Sequence, residues 1–304
     1  MKMKKFIAVL ATAAMVAGLA VGCGGGSDTS SDEGGSGSTG DWDSSMDITI
    51  VSREDGSGTR GAFVELFGVQ EEVDGEDVDM TTEEAQITNS TSVMLTTVAG
   101  DEYAIGYVSL GSLDDSVKAV RIDGAEATAD NVKSGDYKVS RPFNIATMSD
   151  MDNPAADDFI AFIMSEEGQA VVSEEGYIPV DGAEPYAGAA PAGDVVVGGS
   201  SSVSPVMEKL IEAYAEVNPN ANVELQTTDS TTGMESAISG SYDIGMASRE
   251  VKEEELAEGL EAQVIATDGI AVIVNNSNPT EELSSDQVKA IYTGEALTWD
   301  EVAE

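Results

Sequence analysis

Ile48-Thr49-Ile50-Val51-Ser52-Arg53-Glu54-Asp55-Gly56-Ser57-Gly58-Thr59-Arg60-Gly61-Ala62-Phe63 begins with the alternation of a strand and ends in the apolar spacing of a helix. The loop between them has the chemistry of an oxyanion cage. Arg53 offers a planar, permanently charged fork of donors, and Ser57 and Thr59 offer hydroxyls. Gly56 and Gly58 let backbone N–H groups approach a ligand closely, and the helix that follows turns its N-terminus toward the same point. A strand, an anion-binding turn and a helix in succession predict an α/β protein that binds a tetrahedral anion.

The same sentence is repeated downstream. Gly198-Gly199-Ser200-Ser201-Ser202-Val203-Ser204-Pro205 runs from a strand through a Ser-rich loop into a helix with Pro205 in its first turn. Thr227-Thr228-Asp229-Ser230-Thr231-Thr232-Gly233 follows the strand Val223–Gln226, and Met246-Ala247-Ser248-Arg249 ends a third strand. In open α/β sheets, ligands sit at the carboxyl ends of strands, so these loops are expected to share one cleft. Further strands are read at Tyr103–Val108, Val117–Ile122, Phe143–Thr147, Val195–Gly198, Asp243–Met246 and Gly269–Asn275. Helices are read from Pro205 to Val217, after the cap Asn153, and after the capping box Ser284–Gln287. The Pro/Ala/Gly stretch Gly182–Gly193 has no periodicity and reads as a surface linker.

The chain start is of a different kind. Three lysines in the first five residues, an apolar run to Gly22 and then Cys23 form an export signal, too short and wrongly flanked for a membrane span. Ala20-Val21-Gly22-Cys23 is similar to a bacterial lipobox, so Cys23, the only cysteine, is expected to carry lipid rather than to act as a nucleophile. Residues 24–45 are, apart from Glu33 and Trp42, all Gly, Ser, Asp and Thr, the composition of a flexible tether. With 57 acidic against 14 basic residues and no histidine, the chain is a poor partner for nucleic acid and a poor zinc binder. Neither a metal nor a cofactor is expected, and no base or metal set for hydrolysis is in sight. The acidic field repels anions, yet it is screened beyond roughly 8 Å. Local donors must therefore do the binding.

Five segments carry a strong resemblance to the substrate-binding lipoproteins of phosphate ABC transporters. They are Arg53–Thr59, Gly199–Pro205, Asp243–Arg249, Asp268–Asn275, and Ile291-Tyr292-Thr293-Gly294 with Trp299. The resemblance implies a two-lobe, periplasmic-binding-protein-like (type II) fold with a ligand cleft between lobes. In that family the Ser-rich loop precedes the Arg53-type loop, whereas here it follows. The chain thus resembles a circular permutant, with old termini joined near Gly182–Gly193 and new ones between Glu304 and Asp47. The implied division is a signal peptide at 1–22, a lipid-anchored tether at 23–45, a split lobe from 46–139 plus 279–304, and a continuous lobe at 140–278.

Carried over position by position, the resemblance implies phosphate contacts from Arg53, Ser57, Gly58 and Thr59 on the split lobe. The continuous lobe would add Ser201, Ser202, Ser230 and Ser248. Arg53 would be the only fixed positive charge in contact, with Asp55 supporting it. Ser248 stands where part of the family has an aspartate that accepts the phosphate proton, so another acceptor is needed, and Asp55, Asp229 and Asp268 are the candidates. The implied role is a noncatalytic monomer, held by lipidated Cys23 on the outer face of the membrane, that hands phosphate to ABC permease subunits. Sulfate, molybdate or tungstate as ligand, and a cell-surface sensor or adhesion module, are the alternatives.

Overall fold

The computed structural model describes residues 42–302 apart from Asp74; the export signal and Cys23 lie outside them. Among the described residues, no helix is long and apolar enough to cross a membrane. The first half of the chain runs β1 (Thr49–Arg53), α1 (Gly58–Leu66), the hairpin β2 (Gln70–Val73) and β3 (Glu76–Asp79), β4 (Gln86–Thr88), α2 (Thr91–Gly100) and β5 (Ala104–Ser109). It continues through β6 (Val117–Ala119), β7 (Arg121–Ile122), α3 (Ala129–Ser134), β8 (Ser140–Met148), α4 (Pro154–Ile163), α5 (Glu166–Glu174) and β9 (Ile178–Pro179). The second half runs β10 (Gly193–Ser200), α6 (Ser204–Val217), β11 (Ala221–Thr228), α7 (Ser230–Ile238), β12 (Ile244–Ala247), α8 (Glu253–Ala257) and β13 (Leu260–Asn275). It ends with β14 (Glu282–Leu283), α9 (Ser285–Thr293) and α10 (Trp299–Val302).

The principal sheet has the order β11-β10-β12-β8-β13-β5-β1-β4. Parallel pairs flank each end, β10 with β11 and β12, and β1 with β4 and β5. The middle is antiparallel, where β8 and β13 join the halves. Each half closes its own core. Phe63, Tyr107, Tyr292, Trp299, Ile270 and Val272 pack in one; Phe143, Phe159, Phe162, Val197, Leu210 and Tyr214 pack in the other. Two α/β lobes result, as expected. β13 is long enough to belong to both, pairing with β8 from Leu260 to Gly269 and with β5 from Ile270 onward. The chain therefore re-enters the split lobe near Ile270, earlier than the expected boundary at Asn278.

Local sequence accounts for most elements. Asn153 accepts from Ala155 and Ala156 ahead of Pro154, and Ser284 and Gln287 form the reciprocal capping box. The tether ends earlier than expected: Trp42 packs tilted against Tyr103, ring centroids 4.7 Å apart, and meets Trp299 edge-on, so the chain is already packed on the folded body from residue 42. The C-terminal segment lies beside this entry point, with Asp300 N donating to Ser44 O at 2.8 Å and Asp47 bridged to Thr298. β1 takes its ladder from β4 and β5, and residues after Pro279 reach this segment through that bridge, through Ile48 N donating to Leu297 O and through Tyr292 Oη donating to Val51 O at 3.2 Å. The linker is clasped rather than free. Asp158 of α4 accepts from Tyr186 Oη at 2.6 Å and from Ala189 N at 2.9 Å, and from Tyr214 Oη of α6 at 2.7 Å.

Candidate functional site

Four helix N-termini meet where the lobes face each other. α1 begins at Gly58 behind its cap Ser57, α2 at Thr91 behind Ser90, α6 at Ser204 just after Ser201 and Ser202, and α7 at Ser230 behind Asp229. Each follows the carboxyl end of a strand, so orphan N–H groups and positive dipole ends are brought to one point. Close approach of the backbones makes the point tight. A Cβ on Gly58 would strike Ser230 Oγ and come within 2.9 Å of Ser248 Oγ, which is why α1 can start there only with glycine. Gly199, at φ +138° against the Met246 carbonyl, turns β10 toward the cluster in a backbone region other residues rarely adopt.

Hydroxyls from both lobes interleave at this point. Thr59 Oγ1 lies 2.8 Å from Ser202 Oγ and 3.3 Å from Ser248 Oγ, and Ser248 lies 2.9 Å from Ser200 Oγ and 3.5 Å from Ser230 Oγ. Arg53, only 2% exposed, donates from Nη2 to Ser201 Oγ at 3.1 Å. Its position is fixed from behind by Glu54, which takes Nε at 2.8 Å and Nη2 at 2.7 Å. Its backbone N–H bonds the phenol of Tyr107, whose ring stacks on Phe63 of α1; burial of that phenol outweighs its hydrogen bonds and pushes its pKa up to about 12. The structure thus gathers Arg53, Gly58, Thr59, Ser201, Ser202, Ser230 and Ser248. Ser57 sits at the edge, its hydroxyl capping α1 through Arg60 N.

Asp55 does not support Arg53. Its side chain is 98% exposed and pairs with Arg60 Nη1 at 2.7 Å, because the loop turns it outward while Glu54 turns in. Asp229 is spent on α7, accepting from Thr232 N and Oγ1. Asp268 is buried against a second arginine. Arg141, 4% exposed, gives Nη1 to Asp268, Nε to Ser248 O at 2.9 Å and Nη2 to Thr59 Oγ1 at 2.9 Å. Arg53 is therefore not the only cation at the cluster. Burial pushes the Arg141 guanidinium down and the Asp268 carboxyl up, each opposed by the charge of the other.

Two participants escaped the sequence reading. Arg141 lies inside a strand with no loop signature, between Ser140 and Pro142, and nothing local marks it. Thr91, whose hydroxyl lies 3.3 Å from Ser201 Oγ and 3.2 Å from Ser202 Oγ, had a usable signal: Thr88-Asn89-Ser90-Thr91-Ser92 repeats the strand-to-helix pattern of the other loops. No group of three or more His, Cys, Asp or Glu among the described residues could hold a metal ion. Chemically the cluster offers many neutral donors and two guanidinium groups to a small anion.

Two α/β lobes on a shared sheet, with helix N-termini converging on one polar cleft, define a binding protein of the periplasmic type. The family model described as PBP superfamily domain matches residues 36–167 and 184–304. The phosphate-binding protein PstS 2 of Streptococcus agalactiae serotype V is 52% identical over 305 residues, covering 100% of both chains. PstS 2 of Streptococcus pneumoniae serotype 4 is 42% identical over 256 residues, 84% of this chain and 87% of that one. A crystal structure of a phosphate-binding protein of a phosphate ABC transporter from S. pneumoniae TIGR4 superposes with a TM-score of 0.67 at 41% identity, covering 84% of this chain and 100% of that chain. The chain belongs to the PstS family of phosphate-binding proteins.

Proposed function

We propose that the protein captures inorganic phosphate at the cluster around Arg53, Thr59, Ser202 and Ser248 and delivers it to the permease of an ABC transporter. It works as a monomer outside the cell membrane, anchored through lipidated Cys23, and as a binder rather than an enzyme. The carrying observation is the meeting of four helix N-termini with the Arg53 and Arg141 guanidinium groups in a buried, hydroxyl-lined cleft. That arrangement supplies donors in all directions around a tetrahedral oxyanion. The lobes contribute from opposite sides, so ligand capture is hinge closure.

Calorimetric titration of the mature domain tests the reading, with phosphate, sulfate and molybdate compared. Charge-assisted bonds of roughly 1.5–3 kcal/mol each, set against an association cost of about 4–15 kcal/mol, lead to a 1:1 affinity on the order of micromolar. Arg53→Ala should lose about 3 kcal/mol, about a hundredfold. Unchanged affinity in that variant would remove the site assignment, and equal binding of sulfate would reopen the choice of ligand.

A further inference from the structure

The pair Arg141 and Asp268 sits where the lobes join. The two residues face each other in the antiparallel register of β8 and β13, and their side chains are only 3% and 1% exposed. The carboxylate holds Nη1, the end of the guanidinium turned away from the cluster, so that Nη2 is aimed at Thr59. Around Asp268 stand the Gly111 amide at 3.5 Å, from the short 3-10 turn Leu110–Ser112, and the Ser109 hydroxyl at the end of β5. The Tyr177 phenol approaches from the continuous lobe, its ring pressed on Gly111 so closely that a Cβ there has no room. Ser109 Oγ, Ser112 Oγ and Tyr177 Oη are buried beside one another and beside the carboxylate, and none of them closes a hydrogen bond of normal geometry. Idle hydroxyls in a dry site are costly, and none of the three belongs to the anion cluster.

We infer that Asp268 is a positioning residue for anion capture: it holds Arg141 aimed at the ligand, and the hydroxyls of Ser109, Ser112 and Tyr177 are its reserve donors. The inference rests on the function proposed above. A guanidinium shared between a buried carboxylate and an arriving anion holds each less firmly, and a buried carboxylate with a weakened partner is expensive unless other donors take over. Hydroxyl rotation supplies those donors without moving the backbone. Because Ser109 and Ser112 come from the split lobe and Tyr177 from the continuous one, filling the cleft tightens the junction at the same time.

A double-mutant cycle read by phosphate calorimetry tests this. Asp268→Asn is expected to weaken phosphate binding roughly tenfold in the parent and less than about twofold in an Arg141→Ala background. In ¹⁵N spectra, the Arg141 guanidinium signal, identified by its loss in Arg141→Lys, should broaden in Asp268→Asn while that of Arg53 stays sharp. Should Asp268→Asn fail to fold, Tyr177→Phe and Ser109→Ala carry the same cycle, with losses of about two- to fivefold that vanish without Arg141. Equal losses in both backgrounds, no loss in the parent, or an unaltered Arg141 signal would overturn the inference alone. A parent that binds no phosphate overturns the proposed function and this inference with it.

Discussion

Arg53 and Arg141 each turn one edge of the guanidinium to the cluster and give another to a carboxylate, Glu54 and Asp268 respectively. The net formal charge nearest the cleft is therefore close to zero, and the guanidinium N–H groups act on an anion as directed donors alongside hydroxyls, main-chain N–H groups and helix dipoles. That kind of site grips by geometry. Monohydrogen phosphate differs from sulfate by one proton, and a carboxylate in contact accepts that proton while repelling sulfate; Ser248, neutral and free to donate, does so weakly. Asp55, Asp229 and Asp268 all have other partners, so none of these three carboxylates is spare to replace it. Ser248→Asp is expected to widen the preference for phosphate over sulfate by about tenfold. Competition titration at neutral pH reads the ratio, and an unchanged one would place the proton-bearing oxygen elsewhere.

At the scale of elements, the linker that would join the old termini is more than a spacer. Its Tyr186 and Ala189 fasten on Asp158 of α4, where Tyr214 of α6 also ends, so one carboxylate ties two helices to the crossing segment. Burial pushes the Asp158 carboxyl up, but hydrogen bonds from Tyr186, Tyr214 and the amides of Ala189 and Ala190 outweigh it and hold the group below its ordinary value. A carboxyl depressed in the folded state contributes stability that is fully present above the unfolded value of about 4 and is lost as pH falls through the folded one. Asp158→Asn should therefore cost about 1–3 kcal/mol at pH 7. Thermal unfolding of parent and variant should differ at neutral pH and converge below about pH 4; a constant gap would mean that the loss is one of packing.

At the scale of the whole molecule, the first and last described segments lie side by side, Asp300 bonded to Ser44 and Thr298 bridged to Asp47. We propose that the order of segments is a circular permutation of the arrangement the family motifs imply. The S. agalactiae relative aligns in the same order over its full length, so the order is not peculiar to this chain. Joining Glu304 to Trp42 through a short Gly/Ser bridge and opening the chain after exposed Asp181 should restore the other order without touching the Asp158 clasp. Such a protein is expected to fold and to bind phosphate within about threefold of the parent, since connectivity changes while contacts do not. Loss of folding would show that the continuity of the linker is itself required.

Strand-end loops rich in Ser, Thr and Gly are legible directly, because caps, turns and periodicity act within a few residues; they carry Arg53, Gly58, Thr59, Ser201, Ser202, Ser230 and Ser248, which the structure brings to one cluster and which the family resemblance implies as phosphate contacts. The α/β class followed from the same local signals. Arg141 could not be read, since its meaning depends on lying opposite Asp268 across two strands that are 127 positions apart in the chain. The inward turn of Glu54, in place of Asp55, was equally closed to sequence, because adjacent carboxylates differ only in which face of the chain they leave. Local chemistry determined which pieces this protein is built from. Tertiary packing decided which charges meet, because pairing at a lobe junction is set by sheet register and burial, and neither is written within any one segment.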